Sequence, residues 1–336
     1  MLWPMAYDNR TTTDEVLEGV DLTGRRIVIT GAASGLGFES ARALASHGAH
    51  VTVLARSEER VAPAVDALRQ LVPDGSFEPG VVDLADLASI GAFADGYLAD
   101  HPAVDVLINN AGVMACPLGR TVDGFETQFG TNHLGHFLLT ARLAPALYAG
   151  DAPRVVTLSS AGHSRSDVDL DDPNFERTEY SPWIAYGRSK TANALFAREL
   201  ARRAGGRGLL SFSVHPGGIM TDLGRHLTDE LITEMASFAR ARTASAAGSD
   251  AGEVEAPSGG MGFEFKPVEA GAATQVWAAT SPDLADHNGA YLADCGLGVL
   301  GANPGTNGFL PHLLDDERAA ALWDLSERLV GTEFPV

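Results

Sequence analysis

Tyr186 and Lys190 stand four residues apart in the stretch YGRSK, a spacing that places both on one face of a helix. An ammonium so placed would stabilise a tyrosinate and lower the phenol pKa. Such a phenol can take the proton of an alcohol or give one to a carbonyl oxygen. A tyrosine and a lysine on one helix are usually a surface pair, so the weight comes from their company. The run PRVVTLSS (153–160) ends in Ser159 and Ser160, and Ser160 is expected to hydrogen-bond the same substrate oxygen. Asn132 follows another apolar run and is expected to hold a water linking Lys190 to solvent. The chain has two lysines, Lys190 and Lys266, against 22 arginines, which marks Lys190 as a position needing an amine; Lys266 reads as incidental.

A glycine turn supplies the second kind of chemistry. TGAASGLG (30–37) lies between a β-branched run and a helical stretch. There Gly31, Gly35 and Gly37 allow a tight turn, close approach of a diphosphate and close helix–strand packing. The helix N-terminus adds N–H donors and a favourable dipole. The second apolar run ends VLARSEER, with Ala55 and Arg56 where an acid would bind the 2′-hydroxyl of NAD. Arg56 can pair with a 2′-phosphate instead, so NADP(H) is the expected cofactor and NAD the alternative. Asp83 is placed to accept from an adenine amino group, and NNAG (109–112) forms a polar turn at the same edge.

These residues must be positioned by alternating strands and helices. Strand-length runs occur at 25–30, 50–55, 76–83, 104–110, 153–160 and 209–216. Helical stretches lie between them, the last two being 125–148 and 184–204. A helix at 268–280, a short strand at 289–293 and a helix at 315–330 follow. Buried β runs alternating with amphipathic helices specify a Rossmann-type, doubly wound parallel sheet, of seven strands here, with ligands at the carboxyl ends of the strands. The expected division is an N-terminal extension (1–20), one α/β domain (21–300) and a C-terminal extension (301–336). Within the domain, 241–262 is rich in Ala, Gly and Ser without periodicity and is expected to be a flexible insert near the substrate.

The formal net charge of −20 argues against nucleic acid and against anionic membranes as partners. Cys116 and Cys295 are too few for a disulfide framework. No apolar run reaches the length of a signal peptide or membrane span, so a cytoplasmic protein is expected. No His, Cys or Asp cluster has metal-ligand spacing, and no metal site is expected. His133 and His136, beside Asn132, read as packing residues.

In their order and spacing, the glycine turn, NNAG, Asn132, Ser160 and YxxxK resemble a short-chain dehydrogenase/reductase over roughly residues 22–295. The stretches LSSAGH (158–163), AYGRSKTANALFARELARR (185–203) and HPGGIMTDLGRH (215–226) resemble the branch of retinol dehydrogenases and WW-domain oxidoreductases. The 26-position gap from Ser160 to Tyr186 resembles that branch too. The resemblance implies a tetrad of Asn132, Ser160, Tyr186 and Lys190, with Ser159 packed behind Ser160. It implies cofactor contacts at Gly31, Ser34, Leu36, Arg56, Asp83, Leu84, Asn110, Ala111, Pro216, Ile219 and Thr221. Gly35, Gly37, Gly112, Gly217, Tyr186 and Lys190 complete the expected set. Relatives often pair through their long helices, which implies a homodimer or homotetramer. The chain departs from animal retinol dehydrogenases in its N-terminal segment, which carries no anchor-like run, and in the 241–262 stretch. Its Arg/Ala/Gly-rich composition suggests a bacterial source.

The substrate is expected between the loop after Ser160, the segment before Tyr186 and the segment from Ile219 onward. His163, Tyr180, Trp183, Met220, Leu223 and Met235 are the candidate contacts, though each could equally pack a lid. Their aromatic and thioether character points to a bulky apolar small molecule. Two functions remain open: an NADP(H)-dependent oxidoreductase on an alcohol or carbonyl, and a catalytically silent NADP-binding regulator. The intact tetrad favours the first.

Overall fold

Seven short runs rich in Val, Ile and Leu form the parallel part of one sheet. In the computed structural model, which describes residues 7–246 and 265–336, they are β1 (Arg26–Thr30), β2 (His50–Ala55), β3 (Ser76–Val81), β4 (Val106–Asn109), β5 (Arg154–Leu158), β6 (Leu210–His215) and β7 (Tyr291–Ala293). The strand order is β3-β2-β1-β4-β5-β6-β7. An eighth strand, β8 (Gly296–Leu297), pairs antiparallel with β7. It goes beyond the expected seven, because the chain turns back immediately after β7 and adds two residues to the edge. The chain runs outward from β1 to β3 and then returns to lay β4 on the other side of β1. This reversal opens a crevice at the carboxyl ends of the strands.

Helices cover both faces, so β4 and β5 are buried along their whole length and have the continuous apolar character that such strands need. The first face receives α1 (Thr13–Val16), α2 (Gly35–Ser46) and α3 (Glu58–Leu71). On the second lie α4 (Leu87–Asp100), the one-turn α5 (Thr127–Phe129), α6 (Gly135–Tyr148) and α7 (Pro182–Ala204). Helix α8 (Asp229–Ala246) lies beside the crevice, α9 (Val268–Thr280) returns to the first face, and β9 (Val299–Leu300) and β10 (Gly308–Phe309) form a small parallel pair. Helix α10 (Asp316–Val330) closes the second face. Its Trp323 packs 5.1 Å from Phe137, 5.9 Å from Phe196 and 4.7 Å from Phe334, centroid to centroid. At the other end of the chain, Thr13 and Arg42 share the buried carboxylate of Glu39, which ties α1 to α2.

Two expectations need correction. The helix expected over 125–148 is interrupted by a π-helical turn at Gly130–Leu134, with Asn132 at its centre. The Glu126 carboxylate accepts from the amides of Gln128 and Phe129 and starts α5 separately. Gly135 then brings the helix so close to Leu84 that a Cβ would lie 2.4 Å from the Leu84 carbonyl oxygen. Such inserted turns accumulate at functional sites. Of the stretch expected to be irregular at 241–262, residues up to Ala246 continue α8 instead, and 247–262 lies outside the described residues. Among the described residues no helix is long and apolar enough to cross a membrane.

Candidate active site

The glycine turn between β1 and α2 has the conformation its residues suggest. Gly31 and Gly35 have φ of +65° and +57°, which side-chain-bearing residues adopt at a cost. A Cβ on Gly31 would sit 2.9 Å from the Cα of Ala111, and one on Gly37 2.6 Å from Asn110 Nδ2. The turn is therefore pressed against NNAG. Asn110 Nδ2 donates to the Thr30 carbonyl at 2.8 Å, and the amides of Asn110 and Ala111 both donate to Thr30 Oγ1 at 2.9 Å.

His136 continues this network. Its Nδ1 lies 2.8 Å from the Asn132 carbonyl and its Nε2 2.9 Å from Thr30 Oγ1. A carbonyl only accepts, so Nδ1 carries the proton and Nε2 accepts from the Thr30 hydroxyl. Burial holds this ring neutral, with a pKa of about 4. His136 thus links the glycine turn to Asn132, more than the packing role expected of it. His133 is a buried ring against Ser326, 2.8 Å away.

A cleft of about 1370 Å³ runs past the ends of β1, β2, β4, β5 and β6. Its wall includes Gly31, Ser34, Gly35, Leu36, Arg56, Asp83, Leu84, Asn110, Ala111, Gly112, Ser160, Tyr186, Lys190, Pro216, Gly217, Ile219 and Thr221. Of the expected cofactor contacts, Gly37 stays behind the turn. The glycine cradle, the helix N-terminus and the long cleft fit an extended dinucleotide. Sequence reading missed several basic wall residues, among them Arg60, Arg10 and Lys266. Arg60 lies one turn beyond Arg56, a spacing visible in ARSEER. Arg10 reaches the wall from the N-terminal segment, which no local pattern announces. Lys266 is not incidental: it pairs with Asp294, its amide donates to the Gly218 carbonyl at 2.9 Å, and its stem fills the space where a Cβ on Gly217 would be.

At the other end of the cleft, α7 carries Tyr186. Pro182 occupies its first turn and Ser181 caps it, as proline and serine favour at helix starts. Tyr186 is buried, and it shares the cleft wall with Ser160. Gly162 donates its amide to Ser160 Oγ at 3.0 Å. Gly187 lets the same loop lie against α7, since a Cβ there would be 2.9 Å from the Gly162 carbonyl oxygen. Ser159 faces away and donates to the Lys190 carbonyl at 2.8 Å.

Lys190 departs from expectation in its effect. Its Nζ donates to the Leu158 carbonyl at 3.0 Å and lies 5.7 Å from the Tyr186 ring centre. Burial pushes the phenol up to about 12, and the neighbouring Ser160 hydroxyl opposes this. Burial also pulls the ammonium down to about 8. Desolvation dominates both shifts, and the phenol is protonated at neutral pH. The Asn132 side chain is occupied by the protein itself: Oδ1 accepts from Val113 N at 2.8 Å, and Nδ2 donates to the Val113 carbonyl and Ser189 Oγ, each at 2.9 Å. It clamps the strand leaving NNAG beside Lys190.

Four of the six candidate substrate contacts, Trp183, Met220, Leu223 and Met235, line the cleft. His163 and Tyr180 do not. His163 is fully buried, with Nδ1 2.6 Å from the Ser160 carbonyl and Nε2 accepting from Leu310 N at 3.3 Å. Its packing against β7 and the C-terminal segment turns it away from the opening. The Tyr180 hydroxyl is held by the Cys116 carbonyl at 2.8 Å and Gln128 Nε2 at 3.0 Å. Met114 and Arg165, not anticipated, lie on the wall instead.

The short chain dehydrogenase family profile matches residues 25–231. The chain belongs to the short-chain dehydrogenase/reductase family, and is an oxidoreductase of the kind that acts on CH–OH groups. Within the family it is retinol-dehydrogenase-like. It is 39% identical to human retinol dehydrogenase 14, over 92% of this chain and 87% of that one. It is 36% identical to human WW domain-containing oxidoreductase, over 96% of this chain and 72% of the relative. A crystal structure of an uncharacterized protein from Mycobacterium paratuberculosis superposes with a TM-score of 0.69 at 36% identity, covering 94% of this chain and 97% of that one. Other solved structures of the same fold hold NADP.

Proposed function

We propose that the protein transfers hydride between NADP(H) and an alcohol or carbonyl group of a bulky, largely apolar small molecule, with Tyr186 exchanging the proton at the substrate oxygen. The observation that carries this reading is that Tyr186 and Ser160 stand together on the wall of the dinucleotide cleft, set by Gly162, which donates to Ser160 Oγ and packs on the Tyr186 ring. Two hydroxyls there can converge on one oxygen. Tyr186 donates its proton to a carbonyl oxygen during reduction, while Ser160 holds that oxygen. A phenol kept protonated by burial is suited to the donor role. Lys190, below its pKa of about 8 at neutral pH, supplies the positive charge that offsets a developing tyrosinate. When bound, the dinucleotide supplies the hydride. Asn132 keeps Val113 and the turn before it in place.

Arg56 and Arg60, both on the cleft wall, support NADP(H) over NAD(H). The apolar surfaces of Met114, Trp183, Leu227 and Met235, which pack around Tyr186, support an apolar substrate body. The cytoplasm remains the expected location and a homodimer or homotetramer the expected assembly.

The test is NADPH consumption by the purified protein against a panel of ketones and aldehydes, repeated with NADH. Turnover with at least one bulky apolar carbonyl compound, faster with NADPH, is expected. Tight NADPH binding with no turnover on any member would favour the catalytically silent regulator.

A further inference from the structure

We propose that the substrate carries a carboxylate and that Arg165 is the residue that selects for it. This deepens the oxidoreductase reading and rests on it. Arg165 ends the 3₁₀ turn Ala161–Arg165 that begins immediately after Ser160. Its Cβ is pressed against Gly187, where an added Cβ would be 2.9 Å away, so its stem is fixed relative to the neighbouring Tyr186. The side chain is only 8% exposed, yet it lies on the cleft wall.

The guanidinium is stacked but poorly bonded. Its Cζ lies 5.0 Å from the Trp183 ring centre and 3.9 Å from that of Phe238. Trp183 in turn lies 6.2 Å from Tyr186, ring to ring. Among the described residues the only hydrogen-bond partner of Arg165 is one oxygen of Glu234, at 3.3 Å, and that carboxylate is 52% exposed. Two arginines elsewhere in this chain are held more fully. Arg42 makes short hydrogen bonds to both oxygens of Glu39 and a third to Asp14. Arg202 likewise grips both oxygens of Glu199.

A guanidinium offers five donors in a planar fork matched to a carboxylate. Burying it with one weak partner leaves much of that capacity unmet. Around it the wall is apolar, with Trp183, Met235 and Leu227. The complementary ligand has an apolar body near Tyr186 and an anionic group reaching Arg165, in competition with Glu234.

The test is calorimetric titration of the NADPH-loaded protein with cyclohexanecarboxylate and, separately, cyclohexanecarboxamide. The carboxylate is expected to bind at least tenfold more tightly. Arg165→Met should abolish that ratio while NADPH affinity is retained, and Glu234→Gln should preserve or widen it. Equal binding of the two probes, or no binding of the carboxylate, would overturn the proposal. An equal loss of both in Arg165→Met would also overturn it, reducing Arg165 to a fastener of α8. Should Arg165→Met not fold, the wild-type ratio and Glu234→Gln still decide. No turnover is needed: selective carboxylate binding by a protein that never consumes NADPH would refute the oxidoreductase reading alone, and unselective binding by an active enzyme would refute this proposal alone.

Discussion

Gly162 and Tyr186 are in direct contact: a Cβ built on Gly162 lies 2.6 Å from Cε1 of the tyrosine ring. The same glycine donates to Ser160 Oγ, so one residue without a side chain sets the spacing of both hydroxyls. Gly162→Ala must push the ring away from the loop. Displacements of about an ångström at reacting groups cost on the order of 10²-fold in rate. The expected outcome is a kcat lowered by about that factor with NADPH affinity unchanged, measured by steady-state kinetics beside a binding titration. A fully active variant would show that the loop does not set the tyrosine.

Arg56 governs the choice of dinucleotide in the proposed function. Hydrogen bonds to charged groups contribute roughly 1.5–3 kcal/mol, which is about 10- to 100-fold in an equilibrium. Arg56→Asp removes such a bond and places a carboxylate where a 2′-phosphate would lie. The ratio of kcat/KM with NADPH to that with NADH should fall by about this factor, and Arg60 should keep it from falling further. An unchanged ratio would remove Arg56 as the determinant.

Three buried imidazoles make stability depend on acid. Burial holds His133 at about 3, His136 at about 4 and His215 at about 3, against 6.5 for an unperturbed histidine. Between those values the unfolded chain carries protons that the native chain does not. Stability supplied by these groups is therefore complete above pH 6.5 and declines as pH falls toward 4, by up to about 1.4 kcal/mol per pH unit for each ring. Denaturant unfolding followed between pH 7 and pH 5 should show this loss, and His136→Asn should reduce its slope. A profile flat down to pH 5 would mean that the rings take up protons without unfolding.

The parallel strands and most helix bounds were legible because β-branched runs and amphipathic periods are local signals. The glycine turn, Ser160 and YxxxK were legible because their spacing is set by single elements. What escaped is what distant segments build. The π-helical turn around Asn132 runs straight into the close contact of Gly135 with Leu84, 51 residues apart in sequence. His163 looked like a substrate contact from its place after Ser160, but its direction is set by Leu310 and Tyr291. Lys266 looked incidental because its partner Asp294 lies beyond a whole helix. The burial that raises the Tyr186 pKa and lowers that of Lys190 is likewise invisible in the sequence, where charge is legible and depth is not.

The most direct test of the central claim is Tyr186→Phe, which removes one hydroxyl and keeps the ring that packs on Gly162. With a carbonyl compound that the wild type reduces, kcat should fall by about 10²- to 10⁴-fold, the usual contribution of a positioned acid or base, while the dissociation constant for NADPH stays within about twofold. Turnover at the wild-type rate would contradict the account outright.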